Sequence, residues 1–364
     1  MHTSPACLDG IRAVDLTQVI AGPYCGLQLA LLGAEVIKIE APQGDPMRWR
    51  GGSSQQLAQQ GLSTHYQAHA KGRQIVYIDW NSEKGQQALR SQISTADIFI
   101  CNLRAHVLPS LGLSIEHLRQ QYPRLVICTL SGYIGEQCAS WPAYDNTIQA
   151  ACGLMHLNGS EASGARVGTP IMDYACGMAA LSAILGALFE RERSGNGQHV
   201  HVNMLAVAHQ LMTAQREDMA LTGQHPRYKG NRANSGEPLS MVFETADGFL
   251  ALAVNEEHQF RKLACALGCE QWLTDARFSS ALQRKHHALL LQDYVQQCLR
   301  QRSALSWESI LNNAGVPAAA VRTLAQSFEH PGAQLDPELF SMERGRLPMA
   351  SLSPPAAYAG QPQL

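Results

Sequence analysis

Ile11-Arg12-Ala13-Val14-Asp15-Leu16-Thr17-Gln18-Val19-Ile20-Ala21-Gly22-Pro23 sets a pattern that recurs through the first half of the chain. An apolar run to Leu16 reads as a strand, and Thr17 to Gly22 reads as a turn. Pro23 suits a first helical turn, which predicts a helix from Pro23 to Leu32. Gly33 ends that helix, and Ala34-Glu35-Val36-Ile37-Lys38-Ile39-Glu40 reads as a second strand. Pro42, Gly44, Asp45 and Pro46 open a loop. Further strands are expected at 74–79, 97–101 and 125–130, with helices at 83–93 and 115–121 between them. Strands alternating with helices indicate parallel βαβ units, so the expected class is α/β with an open parallel sheet. The turn after the first strand carries one glycine, Gly22, where a dinucleotide fold needs G-x-G-x-x-G, which disfavours a hydride-transferring dehydrogenase.

The second informative stretch is Val167-Gly168-Thr169-Pro170-Ile171-Met172-Asp173-Tyr174-Ala175-Cys176-Gly177-Met178. It reads as an extended apolar segment that stops at one acid, with a small-residue helix from Tyr174 to about Arg193. Ser194-Gly195-Asn196-Gly197 is the stop signal. Asp173 is thereby expected at or beside the N-cap, kept ionised by exposed N–H groups and the macrodipole. Two readings stay open on this stretch alone: a plain cap, or a carboxylate nucleophile lifted out of the sheet on a strand-to-helix turn.

Gln198 to Val202 alternates as a half-buried strand and leads into an apolar helix from Met204 to about Ala220. The loop-like segment 223–239, locally basic at Arg227, Lys229 and Arg232, reads as a linker. A hairpin follows at 241–254 with its turn at Asp247-Gly248. Helices are expected at 258–267, 286–299 and 306–314, and Gly315-Val316-Pro317-Ala318 closes that unit. The domain organisation is thus a large α/β domain over 1–222, a linker over 223–239 and a smaller α+β domain over 240–318. A linker and return segment fill 319–364, with 326–364 packing back on the first domain.

At 364 residues the chain is too long for one ordinary core. Hydrophobic residues at 45%, charged residues at 16% and a net charge of −2 describe a soluble globular protein without a basic stripe, so nucleic acid is not an expected partner. The ten cysteines form no C-x-x-C, and several lie in apolar runs. They read as reduced thiols in a cytoplasmic protein, not as a disulfide framework or a zinc site, and no metal is expected. No signal peptide is visible, and the greasy run from Met178 to Phe189 is too short to span a bilayer, so no membrane partner is expected.

Four patterns bear on Asp173. The turn Gln18 to Pro23 offers backbone N–H groups at the carboxyl edge of a sheet. Asn102-Leu103-Arg104 follows a strand to that same edge, with Arg104 either a surface charge or a phosphate fork. Ala143-Tyr144-Asp145 precedes a helical run over 146–155, where Asp145 alone reads most simply as a cap, and Gly195-Asn196-Gly197-Gln198-His199-Val200 is a turn. Together, in order and spacing, these resemble the class III CoA-transferase family, also called the CaiB/BaiF type. The matching stretches are 10–40, Asn102-Leu103-Arg104, Ser131-Gly132-Tyr133, Pro142-Ala143-Tyr144-Asp145, 166–177 and 195–202. In the second unit Gly230-Asn231-Arg232 and Thr245-Ala246-Asp247-Gly248 fit as well.

The resemblance implies a Rossmann-like fold in an interlocked homodimer and makes Asp173 the catalytic aspartate. The implied reaction moves CoA from an acyl-CoA donor to a carboxylate acceptor through an aspartyl anhydride and an aspartyl-CoA thioester, without metal or ATP. Coenzyme A contacts carried over from the family fall on Gln18, Val19, Ala21, Asn102, Leu103 and Met204, with Arg104 and Lys71 as phosphate partners and Tyr144 beside them. The chain departs from the family pattern at Ala41, at Ser110 and at Lys71-Gly72-Arg73, all on the side of adenine and phosphate binding.

Two rivals share parts of this reading. An α-methylacyl-CoA racemase or epimerase of the same fold needs a histidine base where Tyr144 stands, and a tyrosine is a poor proton acceptor near neutral pH. A non-catalytic CoA-binding protein has no use for the acid in the Asp173 motif. The identity of the acyl donor is not written in these motifs; succinyl-CoA is the first donor to test.

Overall fold

A computed structural model of the chain describes residues 6–70, 72–104, 106–159 and 163–333. The chain divides into two compact units between Pro226 and Arg227. The first unit carries β1 (Arg12–Leu16), α1 (Ala21–Leu31), β2 (Glu35–Glu40), the short helices α2 (Gln55–Gln59) and α3 (Thr64–Ala70), and β3 (Gln74–Tyr77). It continues with α4 (Glu83–Ile93), β4 (Ile98–Cys101), α5 (Val107–Ser110), α6 (Ile115–Gln121), β5 (Val126–Ser131), α7 (Asp145–Ala151) and α8 (Leu154–Asn158). Then come α9 (Ile171–Ser194), β6 (His199–Asn203), α10 (Met204–Leu211) and α11 (Thr213–Thr222).

The six strands form one parallel sheet in the order β3-β2-β1-β4-β5-β6. Its inner strands β1, β4 and β5 are buried along most of their length because helices cover both faces, as parallel sheets require. One core packs α1, α9 and α10 against the sheet through Leu29, Ile100, Cys128, Cys176, Ala180 and Ile184. The other packs Val14, Ile37, Phe99 and Ile127 against Leu89, Ile93 and Leu118. The order reverses between β1 and β4, whose registers align Leu16 with Cys101. The chain leaves those two strands in opposite senses around the sheet, and the crevice beyond their carboxyl ends is the topological place for a ligand.

Several expectations need correction. No strand precedes Asp173: residues 163–170 are irregular and α9 starts at Ile171, so Asp173 lies in the first turn of the helix. Pro170 fixes that start from just outside. α9 is 24 residues long, and by length and composition alone it could cross a bilayer, contrary to the shorter run expected. Half of that apolar stretch is buried within the first unit, which accounts for its composition. The helix expected over 204–220 is broken at Met212, whose side chain is buried at the bend. The helical run over 146–155 is likewise interrupted, at Gly153 with φ 89°.

The second unit has an antiparallel sheet of β7 (Val242–Glu244), β8 (Phe249–Leu252) and β9 (Ala318–Ala320). Around it lie α12 (Glu257–Ala266), a 3-10 turn at Glu270–Leu273, α13 (Ala281–His286), α14 (Ala288–Leu299), α15 (Ala304–Asn313) and α16 (Leu324–Phe328). Its own core holds Phe243, Leu250, Phe260, Trp272, Val295 and Trp307. The unit does not close at Ala318, because Ala318–Ala320 pairs with β8 as a third strand. Part of the segment expected as a linker is bonded to this unit as well: Arg232 bridges Met241 and Leu239 bridges Val254. The expected return of 326–364 falls mostly outside the described residues.

Candidate active site

The site is built on the switch point of the first sheet. The turn Thr17 to Ile20 leaves β1, and Asn102 leaves β4 beside it. Asn102 clamps the turn twice: its Oδ1 accepts from the Gln18 N–H and its Nδ2 donates to the Gln18 carbonyl, both at 2.8 Å. Val19 adopts φ 74°, a left-handed conformation that a β-branched residue avoids. What holds it there is Asp45, whose carboxylate accepts from the Val19 N–H at 3.2 Å and from the Met47 N–H at 2.8 Å. The N–H groups of Gln18 and Val19, expected to face a ligand, are therefore spent on shaping the turn. At the first turn of α1, the N–H groups of Ala21 and Gly22 have no partner among the described residues, nor has the Gln18 side-chain amide.

Beneath the turn lies a buried ionic network. Lys38, 1% exposed in the middle of β2, donates to the Thr17 carbonyl and stands 3.8 Å from Asp15 and 3.9 Å from Asp45. Asp15 also accepts from the Thr17 N–H at 2.9 Å and from Arg73 at 2.8 Å. Glu40 accepts from Arg48 at 2.6 Å, from the Tyr66 hydroxyl at 2.8 Å and from the Asp45 N–H at 3.1 Å. Burial pushes the Asp45 carboxyl up, and Lys38 together with the two backbone N–H groups pulls it back down. A small crevice opens over the ends of β1 and β2, lined by Thr17, Gln18, Ala41, Asp45 and Trp80; Asp173 is not part of its wall.

Asp173 enters from α9. Where α9 passes α1, a Cβ on Gly177 would stand 2.7 Å from the Ala21 carbonyl and 2.8 Å from the Tyr24 ring, so only glycine permits this approach. One turn earlier sits Asp173, 9% exposed. Its carboxylate accepts no hydrogen bond from any described residue, so the plain-cap reading fails. The capping is done from elsewhere. Asp145, at the start of α7 and 6% exposed, accepts from the Met172 N–H at 2.8 Å and from the Gln149 side chain at 2.7 Å. Gln149 in turn accepts from the Val167 N–H at 2.8 Å, which pins the chain leading into α9.

Burial, and after it the charge of Asp145, pushes the Asp173 carboxyl up to about 7. The helix N-terminus was expected to keep it ionised, but a macrodipole contributes only about 0.3–1 kcal/mol. That is less than the desolvation of a carboxylate with no donor. Tyr174, Tyr24 and His69 form an aromatic cluster next to it, with ring centroids 4.9 Å apart for Tyr24–Tyr174 and 5.8 Å for His69–Tyr174. Burial lowers His69 to about 4, so this wall is neutral at pH 7.

Among the other expected residues, Leu103 is half-buried, and Arg104 is exposed with a guanidinium that has no partner among the described residues. Tyr144 is exposed at the N-cap of α7, with Arg50 over its ring at 6.0 Å. Met204 is buried in the core at the start of α10. Lys71 lies outside the described residues. The structure thus gathers Gln18, Val19, Ala21, Asn102 and, through α1, Asp173 around one end of the sheet. Sequence reasoning missed Asp45, Lys38 and Gln149, and it read Asp145 as a cap of the helix that follows it, whereas Asp145 caps the start of α9; of the missed residues only Lys38 gave a signal, as a cation between two isoleucines of β2.

Comparison with known proteins gives the family. The family described as CoA-transferase family III matches residues 8–363. A succinate–glutarate CoA-transferase from Agrobacterium fabrum is 30% identical over 90% of this chain and 83% of its own length. An acetyl-CoA:oxalate CoA-transferase from Acetobacter aceti is 30% identical over 89% of this chain and 82% of its own. Among solved structures, a CaiB/BaiF family protein from Brucella suis superposes with a TM-score of 0.80 at 28% identity, covering 91% of this chain and 88% of that one. With the match running over nearly its whole length and the fold shared, this chain belongs to the class III CoA-transferases, enzymes whose substrates are CoA thioesters.

Proposed function

We propose that Asp173 is the nucleophile of CoA transfer between dicarboxylic acids. One observation carries this: a buried carboxylate in a helix's first turn, without a hydrogen-bond donor among the described residues and next to a second anion. Such a group is poorly solvated and therefore reactive once ionised. Its oxygen attacks the acyl-CoA carbonyl, the C–S bond breaks, and CoA thiolate leaves an aspartyl acyl anhydride. The thiolate then attacks the aspartyl carbonyl and expels the donor as its free carboxylate, leaving an aspartyl-CoA thioester. An acceptor carboxylate displaces the thiolate to form a second anhydride. Thiolate attack on the acceptor's carbonyl releases the new acyl-CoA and frees Asp173. No bond energy is lost to water, so no ATP is needed. The unpartnered N–H groups of Ala21 and Gly22 and the Gln18 amide are the candidate donors to the tetrahedral oxyanions. Arg104 is the candidate phosphate partner.

The dicarboxylate class comes from the relatives, named for succinate, glutarate and oxalate exchange. A cytoplasmic homodimer, implied by the resemblance, belongs to the same proposal, and light scattering in solution tests its mass. The decisive experiment incubates the enzyme with succinyl-CoA and hydroxylamine and maps the modified peptide by mass spectrometry. An Asp173 hydroxamate is expected, and Asp173→Ala should lose at least about 10⁴-fold in turnover while still binding CoA. A variant with near-normal transfer would refute the assignment.

A further inference from the structure

The second unit holds a pair of thiols that the transfer chemistry does not use. Cys269 stands between α12 and the 3-10 turn, and Cys298 lies in the last turn of α14. Their sulfurs are 3.7 Å apart in a thiol–thiol hydrogen bond, although 29 positions separate them in sequence. All ten cysteines are free thiols, and no other two are hydrogen-bonded to each other. Both members are partly exposed at the rim of their core, whereas Cys25, Cys101, Cys128 and Cys176 are sealed inside the first unit.

The two sulfurs are not equivalent. The Cys269 thiol has a carbonyl acceptor of its own, Leu267 O at 3.6 Å, whereas the other sulfur is the one hydrogen-bond partner of the Cys298 thiol among the described residues. Burial first, and then this contact, push Cys298 up to about 11, so it keeps its proton at neutral pH.

We propose that Cys269 and Cys298 are a redox modification site, closing to a reversible disulfide when they meet an oxidant of the hydroperoxide class. The Cys269 sulfur, as thiolate, attacks the terminal oxygen of the peroxide. The O–O bond breaks, an alcohol or water departs, and two electrons leave the sulfur, which becomes a sulfenic acid. The Cys298 sulfur then attacks that sulfur, the S–O bond breaks, and hydroxide leaves with the Cys298 proton as water. Two thiols and one hydroperoxide give one disulfide, one water and one alcohol (a second water for hydrogen peroxide). A disulfide bond is about 2.05 Å long, so the sulfurs must close by roughly 1.7 Å from their 3.7 Å contact. The bond would tie the end of α12 to the end of α14. This inference is independent of the role of Asp173.

The test treats the full-length protein under native conditions with stoichiometric hydrogen peroxide, quenches with N-ethylmaleimide, digests without reduction and reads the peptides by mass spectrometry. A peptide joined through Cys269 and Cys298 is expected, with the loss of two alkylatable thiols and their recovery in dithiothreitol. In Cys298→Ser the sulfenic acid has no resolving partner, and dimedone should label Cys269. Exposed Cys265 and Cys7 are internal controls. Alkylation of Cys269 and Cys298 unchanged by peroxide, or oxidation confined to Cys265, Cys7 or intermolecular bonds, would overturn the proposal.

Discussion

Asp15, Glu40 and Asp45 at the ends of β1 and β2, and Asp173 in the first turn of α9, are all buried carboxylates of one unit, yet their surroundings are opposite. The first three share Lys38, Arg73, Arg48, a tyrosine hydroxyl and several backbone N–H groups. Asp173 has no donor among the described residues and faces the charge of Asp145. A carboxylate wrapped in donors is held in place and made inert; one stripped of them keeps the nucleophilicity that solvation would mask. The surrounded acids serve shape, because Asp45 holds Val19 and Asp15 holds Thr17 where the turn must be. On the proposed reading the bare acid is the one that reacts, and the fold bears the cost of its burial.

The contrast is broken most severely by making one substitution in both places. Asp15→Asn keeps an oxygen for Thr17 but removes the charge facing Arg73 and Lys38, leaving buried cations unpaired, and a loss of about 3–5 kcal/mol in unfolding free energy is expected. Asp173→Asn should act in the other direction. Its folded value of about 7 is above the ordinary 3.8, so the folded state holds the proton more tightly than the unfolded chain. The associated stability is complete below the unfolded value and is lost as pH rises through 7. The full shift corresponds to about 4 kcal/mol, of which solvent at the mouth of the site screens a part. At pH 8 the amide should therefore gain about 1–3 kcal/mol while losing turnover. Urea titrations of both variants at pH 8 check the signs, and two losses would mean that Asp173 is a structural acid like the rest.

The surrounded and the bare carboxylates also differ in how far they could be read beforehand. The alternation from Ile11 to Leu130 is local, set by apolar runs and by breakers such as Gly33 and Pro42, and the sheet followed from it closely. Asp173 stood out because a lone acid interrupts an apolar run. What the sequence could not carry is pairing across strand order. Asn102 meets Gln18 only because β4 lies beside β1, and Asp45 meets Val19 across 26 residues. Gln149 and Asp145 look like ordinary helix residues until α7 is set against the entrance to α9. The cap of α9 is hidden for the same reason: it comes from Asp145, 27 positions before Met172, and Pro170 beside the start is the one local mark of where the helix begins.

An intermediate effect is expected where the ionic network supports the turn. Asp45→Ala leaves the Val19 N–H unpaired and Lys38 with Asp15 alone, so Val19 should relax from its left-handed conformation. If the turn positions the substrate over Asp173, kcat should fall about 10–100-fold, about 1.4–2.8 kcal/mol of barrier, with a smaller change in KM for the CoA ester. Asp45→Asn keeps an acceptor for Val19 and should recover most of that loss. Equal defects in both variants would assign the network to stability and not to the site.

The smallest change reaches Asp173 through its neighbour. Asp145→Asn retains an oxygen for the Met172 N–H but sets an amide against the Gln149 side chain, which costs some stability, about 1–2 kcal/mol. Its charge is the second cause of the raised Asp173 value, behind burial. Removing that charge should therefore lower the Asp173 value without returning it to the ordinary carboxylate range. Transfer requires the ionised form, so kcat/KM for the native enzyme should rise with pH through a limb near 7, and in Asp145→Asn the limb should move to lower pH by up to about one unit. A limb that stays fixed while stability drops would separate the two roles of Asp145, leaving it as the cap of α9 and nothing more. A limb that moves ties the reactivity of Asp173 to the acid that also anchors its helix.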